Sequence, residues 1–365
     1  MRILVLLVLV VPHSAPVIKI VSSLPRTGSA KAQTDFIVNG IRMAIDEAGG
    51  AAGGFRIEYE DWDSASATES KSREPVNARR AVDDPAVVVY LGTYNSGSAK
   101  LSMPILNRAG LLMISPTNTW PGLTKPGMGE KGEPEIYRPS GNRNYCRVTP
   151  TDEIHGTLGA DWAKDMGVKT VAIVDDGESY GKGVADCFEA RCREIGLRVV
   201  GRWTAREFEA ASADLVYFGG TSWTGATEVA KATTGKLMVP DGCYDDKFLV
   251  HAPSGRTYVT APARTPLRFA IAYRKKFGIE PGPCAVYGYE AARAALKAIE
   301  GAGKKDRQAI RRAGLAIRNF AGVFGSWSFD SNGDTTDRTL AGFVVRDGTF
   351  VFDRLLGGPP PRIYK

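Results

Sequence analysis

Residues Leu91 to Thr124 read LGTYNSGSAKLSMPILNRAGLLMISPTNTWPGLT, and the alternation in this stretch decides the fold class. Two apolar runs of strand length, VVVYLG at 87–92 and LLMISP at 111–116, each pass straight into small hydroxyl and amide residues. Between them Leu101, Pro104, Ile105 and Ala109 recur at helical spacing, and Ser96 and Ser98 stand where N-caps belong. A helix over 98–109 joining two strands makes a β-α-β unit, whose strands run parallel. The start of such a helix carries unpaired N–H groups and partial positive charge, so Ser96 beside it can donate to a carboxylate without help from Lys or Arg. Thr117, Asn118 and Thr119 follow the next strand and enter the same crevice, because open α/β sheets bind ligands at neighbouring strand ends.

The alternation continues on both sides. VIKIVSSL at 17–24 precedes an amphipathic helix, TDFIVNGIRMAIDEAGG, that stops at Gly49 and Gly50 and leads to the strand FRIEYEDWD. A second helix is expected over Ser66 to Val82. The pattern lapses from Pro121 to Asn144, a Gly- and Pro-rich stretch, then restarts with YCRV at 145–148, a helix at 152–166, TVAIVDD, a helix at 181–195 and LRVVGRW. Strands LVYFGG, KLMVP and TYVTAP follow, with helices near 224–234, 266–277 and 285–301. The tail changes to strand signals, with DSNGD at 330–334 as a turn and Asp347-Gly348 as a hairpin. The expected fold is α/β, two doubly wound parallel-sheet lobes.

A chain of 365 residues exceeds one ordinary core and fits two domains. The formal charge of +7 is scattered among acidic neighbours with no basic stripe interleaved with aromatics, so nucleic acid is not an expected partner. The cluster Arg307 to Arg312 fits an exposed helix face. Met1-Arg2, the apolar run Ile3 to Val11 and Ala15 read as a signal peptide over 1–15, implying export. Five cysteines without a C-x-x-C pair argue against metal or redox frameworks; no metal and no cofactor are expected, and buried free thiols are the default.

The pieces IVNGIRMAIDEAGG, GLLMISPTNTWPGLT, YRPSGNRNYCRVTPTDEIHG, VDDGESYGKG, VYFGG and AVYGYEAARAAL, in this order, resemble the periplasmic leucine/isoleucine/valine-binding proteins. Members of that family are receptors of ABC importers whose two lobes, joined by three crossovers, close on a free amino acid. The resemblance implies a first lobe of 17–144 plus 264–321 and a second of 145–263 plus 322–356, with a membrane permease and a small amino acid or related amide as partners of a monomer. It places Ser96 and Thr117 to Thr119 on the ligand carboxylate and Tyr180 and Asp241 on its ammonium, an arrangement that matches three N–H donors with acceptors. Taken alone, Ser96 is also an ordinary cap, Tyr180 a packing residue and Asp241 a cap for the short helix after it.

Three positions depart from the family pattern. Asp241 stands where the best-known members have Glu, Thr221 replaces a second Tyr, and Gln33 replaces a first-lobe aromatic. Gln33, Tyr94, Trp120 and Trp223 are candidates for the pocket wall, with rim or packing roles as the alternative. A fourth departure is length: only TAREFEAASAD separates two strands at 204–214, so a helix of about two turns is expected there. An enzyme finds little support, since His155 and His251 lack a nucleophile in a supporting context, and no G-x-S-x-G, dinucleotide or triphosphate motif occurs. A ligand sensor of the same fold is the remaining alternative.

Overall fold

The computed structural model describes residues 15–65, 71–262 and 265–357. The signal-peptide reading of 1–15 lies almost wholly outside them, as does the first part of the helix expected from Ser66 and the boundary placed at 263/264.

The first half builds β1 (Val17–Leu24), α1 (Lys31–Glu47), β2 (Ala51–Ala52), β3 (Phe55–Asp63), α2 (Glu74–Asp83), β4 (Val87–Leu91), α3 (Ser96–Arg108), β5 (Leu112–Ser115) and β6 (Tyr145–Arg147). Their sheet has the order β2-β3-β1-β4-β5-β6, parallel except for β2. A second set follows: α4 (Asp152–Asp165), β7 (Thr170–Asp175), α5 (Ser179–Glu194), β8 (Arg198–Thr204), β9 (Leu215–Gly219), α6 (Ala226–Ala232), β10 (Lys236–Val239), α7 (Asp246–Leu249) and β11 (Thr257–Pro262). The chain then returns to the first lobe with α8 (Leu267–Phe277), α9 (Ala285–Ala302), α10 (Arg307–Leu315) and the separate two-stranded sheet of β12 (Phe320–Ala321) and β13 (Ser326–Trp327), and ends in the hairpin β14 (Leu340–Arg346) and β15 (Thr349–Gly357). The second sheet runs β15-β14-β11-β10-β9-β7-β8, with β14 and β15 antiparallel. The doubly wound α/β expectation thus holds in both lobes. Strands β4 and β9 are buried along their whole length, which is why VVVYL and LVYFG carry no polar alternation.

In each sheet the strand order reverses beside the first strand, between β1 and β4 and between β7 and β9, and the elements that follow those strands face one crevice. The lobes meet the implied boundaries imperfectly. β6, assigned by the resemblance to the second lobe, is the edge strand of the first sheet, paired with β5. Trp327 and Phe329, beyond the expected crossing at Gly322, are buried in the first core because their rings pack on each other and on Phe320. The third crossing therefore lies between Phe329 and Leu340.

Local corrections have equally local causes. α3 starts at Ser96, with Asn95 in the extended cap position, so Ser96 and Ser98 are its first and third residues and not its caps. Residues 204–214 form a single turn and no helix: Phe208 is drawn into the second core against Trp203, which leaves too little chain to wind further. Arg307 is half-buried: its guanidinium donates to the carbonyls of Ala81, Val82, Asp84 and Val87, closing the end of α2. The five cysteines are free thiols.

Helix α9 lies directly on α1 because both present glycine at the crossing. A Cβ on Gly40 would stand 2.1 Å from the Ala285 carbonyl oxygen, which is backbone and has nowhere to go. Gly40→Ala is expected to lower stability by about 1–3 kcal/mol through this overpacking, read as a reduced urea midpoint with an unchanged slope.

Candidate functional site

On the first jaw, α3 begins at the end of β4 and points its first turn into the crevice. Intrahelical bonding starts only when the Ala99 N–H reaches the Asn95 carbonyl, and the Asn95 side chain does not cap, so the N–H groups of Ser96, Gly97 and Ser98 are left over. The Ser96 Oγ accepts from the backbone N–H groups of Thr119 (3.2 Å) and Trp120 (3.1 Å). Its own hydrogen has no acceptor among the described residues, which leaves it able to donate into the crevice. Thr117 donates its hydroxyl to the Tyr94 carbonyl at 2.8 Å, so toward the crevice its oxygen acts as an acceptor.

On the second jaw, Tyr180 stands in the first turn of α5, and its phenol donates to Asp241 Oδ1 at 2.5 Å. Burial, with the Asp241 carboxylate second, holds the Tyr180 phenol well above its ordinary range, so it stays a donor. Thr221, after β9, is turned toward Thr224, whose hydroxyl donates to Asp176. The Asp176 carboxyl is pushed up to about 7, chiefly by burial.

Between the jaws lies a cavity of about 40 Å³, lined from the first lobe by Gln33, Tyr94, Asn95, Ser96, Thr117 and Cys284. Tyr180, Thr221, Asp241 and Gly242 line it from the second. The crevice is closed by direct contacts. Gln33 donates its Nε2 to Asp245 Oδ2 at 2.9 Å and accepts from the Tyr94 hydroxyl, and the Lys247 ammonium reaches the Ser29 carbonyl at 3.1 Å. Asp245 also caps α7 and takes the Ser222 hydroxyl.

Of the seven residues expected at the ligand, Thr221 among them in place of the family's second Tyr, five line this cavity. Ser96, Thr117, Tyr180, Thr221 and Asp241 line it; Asn118 and Thr119 do not. Asn118 is wholly buried, and its amide nitrogen donates to the carbonyls of Thr93 and Tyr94, which braces the loop. The Thr119 backbone donates to Ser96, while its hydroxyl points toward Asp152. Of the expected wall residues, Gln33 and Tyr94 are in place. Trp120 is a correction: its indole N–H donates to Glu133 at 2.7 Å and its ring lies on Gly183 of α5, where a Cβ would come within 2.2 Å of it. A bulky ring has no room in the crevice and finds it at this glycine, where it joins the lobes. Trp223 is also outside the lining and rests beside Tyr94 at a ring separation of 6.3 Å.

Asn95, Gly242, Cys284, Asp245 and Arg147 were not foreseen in these roles. Asn95 had a signal, being the last residue before the helix; Cys284 had none. Arg147 holds the whole binding loop. Its guanidinium, 0% exposed, meets Asp334 at 2.7 Å, the carbonyls of Asn118 and Trp120 at 3.2 and 2.8 Å, and the Thr124 hydroxyl at 2.5 Å. The DSNGD turn supplies Asp334, so a surface-like motif carries a buried ion pair.

Behind Tyr180 the Asp152 carboxyl is fully buried, with neither oxygen in a formed hydrogen bond, and burial pushes it up to about 8; the nearby Thr119 hydroxyl eases the charge without good bonding geometry. A carboxyl raised in the folded state binds its proton more tightly there than in the unfolded chain. Stability on this account falls as pH rises from about 4 to about 8 and is level above. Asp152→Asn is expected to flatten this slope, matching the parent near pH 4 and exceeding it at pH 8 by roughly 2–5 kcal/mol, measured by urea unfolding across pH.

Among the described residues no group of His, Cys, Asp and Glu is placed to hold a metal ion, and no helix is long and apolar enough to cross a membrane. The chain resembles known proteins along most of its length. It is 25% identical over 352 residues to the Leu/Ile/Val-binding protein BraC3 of Rhizobium johnstonii, covering 90% of this chain and 91% of that one. It is 26% identical to the leucine-, isoleucine-, valine-, threonine- and alanine-binding protein of Pseudomonas aeruginosa, with 88% of each covered. Among solved structures, the leucine-binding protein LivK of Thermotoga maritima superposes with a TM-score of 0.78 at 24% identity, covering 93% of this chain and 98% of that one. A solute-binding protein of an ABC transporter from R. palustris, in complex with benzoate, also reaches 0.78, at 19% identity and with 95% and 98% covered. Both structural matches bear on the fold alone. The family model described as periplasmic binding protein matches residues 17–239, more than half of the chain. With its two doubly wound lobes and the crevice between them, the chain belongs to the periplasmic binding protein family.

Proposed function

We propose that the chain is the solute-binding component of an ABC importer, exported from the cytoplasm, and that its lobes close on a free amino acid, which it hands to a membrane permease without chemical change. The observation that carries this reading is the opposite polarity of the two jaws across one small cavity. The free N–H groups of α3 and the Ser96 hydroxyl face it from one side, and the Asp241 carboxylate, oriented by Tyr180, faces it from the other. A zwitterion presents that charge pattern, with the carboxylate toward the helix start and the ammonium toward Asp241. Thr117 adds an acceptor between them. Rotation of the lobes about the three crossovers opens the crevice, and the two shapes are what a permease can distinguish. The names of the relatives, which bind leucine, isoleucine, valine, threonine or alanine, support the ligand class. Calorimetric titration of the folded protein with the common L-amino acids tests the proposal: at least one gives a saturable isotherm with one site, whereas no saturable binding to any of them contradicts it.

A further inference from the structure

The zwitterion uses Ser96, Thr117, Tyr180 and Asp241, and what remains of the cavity wall is polar where an aliphatic side chain would need grease. Asn95 Oδ1 is buried and has no hydrogen-bond partner, although the residue lines the cavity. Gln33 turns its carboxamide to the same space, with its orientation locked by the Tyr94 hydroxyl on the oxygen and by Asp245 on the nitrogen. One hydrogen of that nitrogen remains beyond the bond to Asp245. The whole cavity, about 40 Å³, is small. The strap from Gln33 to Asp245 closes over this space.

Resting on the amino-acid reading above, we propose that the ligand's side chain is short and carries a hydrogen-bond donor, a hydroxyl or a carboxamide, which Asn95 Oδ1 accepts while Gln33 closes over it. Asn95 and Gln33 are then the specificity-determining residues of the site. An apolar side chain of equal size leaves Asn95 Oδ1 buried and unpaired, and this is the source of discrimination.

Isosteric pairs test the proposal directly: L-threonine against L-valine, L-serine against L-2-aminobutyrate, and L-asparagine against L-leucine, each titrated by calorimetry into the wild-type protein. In the tightest-binding pair the polar member is expected to bind at least about tenfold more tightly. Asn95→Ala, checked for an intact thermal transition, is expected to shrink that ratio to within about twofold. Apolar members that bind as tightly as their polar partners, or more tightly, overturn the proposal and leave the amino-acid reading standing. An unchanged ratio in Asn95→Ala removes Asn95 as the discriminating group. If no amino acid binds at all, both readings fall together.

Discussion

Asp241→Ala is expected to weaken amino-acid binding by about 100-fold or more, the largest effect of any single change in the crevice. The ammonium of the bound ligand is shielded from water when the lobes close, and Asp241 is the carboxylate that lines the cavity opposite α3. Removing it leaves a buried cation with only neutral acceptors at Thr117 and Tyr180. The fold itself does not depend on Asp241, whose side chain is bonded to Tyr180 and lies at the start of a short turn of 3-10 helix. Calorimetry therefore reports a loss of affinity while the melting temperature stays close to that of the parent. Asp241→Glu, which advances the carboxylate by one methylene into a cavity of about 40 Å³, is expected to bind more tightly than Asp241→Ala but less tightly than the parent.

Arg147→Met is expected to have the largest effect on stability, a loss of about 3–5 kcal/mol with a fall in melting temperature of about 10 °C. Methionine keeps the volume but leaves the Asp334 carboxylate, 3% exposed, with the more distant Lys125 ammonium at 3.6 Å as its counter-charge, and removes three hydrogen bonds from the loop that carries Thr117 to Thr124. Replacing both members, Arg147→Met with Asp334→Leu, is expected to restore part of the loss, because no uncompensated charge is then buried. Thermal unfolding of the four proteins of this cycle checks both statements. The loop also positions Ser96 through the Thr119 and Trp120 N–H groups, so the single variant binds ligand more weakly even below its transition.

Periodicity made the fold legible, because each strand and helix declared its own length and the strand ends followed from the order of alternation. Ser96 and Thr117 were legible for the same reason, since each stands at a strand end or helix start facing the crevice, whereas Tyr180 and Asp241 were singled out by the family resemblance. Trp120, Asn118 and Thr119 sit in the same kind of place, and what they touch depends on the glycine at 183 and on the buried Arg147, which are distant in sequence. The pairing of β6 with β5 and the depth of Trp327 and Phe329 in the first core were hidden similarly, since both are settled by which lobe offers a packing partner. Arg147 itself reads as one more surface base until Asp334, 187 residues away, is brought beside it.

The opposed polarity of the jaws is tested most directly by three ligands that differ only at the charged groups: the L-amino acid that binds tightest, its carboxamide and its deaminated acid, each titrated into wild-type protein by calorimetry at one ionic strength. The amino acid alone is expected to bind with a saturable isotherm, and each of the other two to bind at least about 100-fold more weakly, since each leaves one jaw without its counter-charge. A deaminated acid that binds as tightly as the amino acid would contradict the role of Asp241, and an equally tight carboxamide would contradict that of Ser96 and the start of α3.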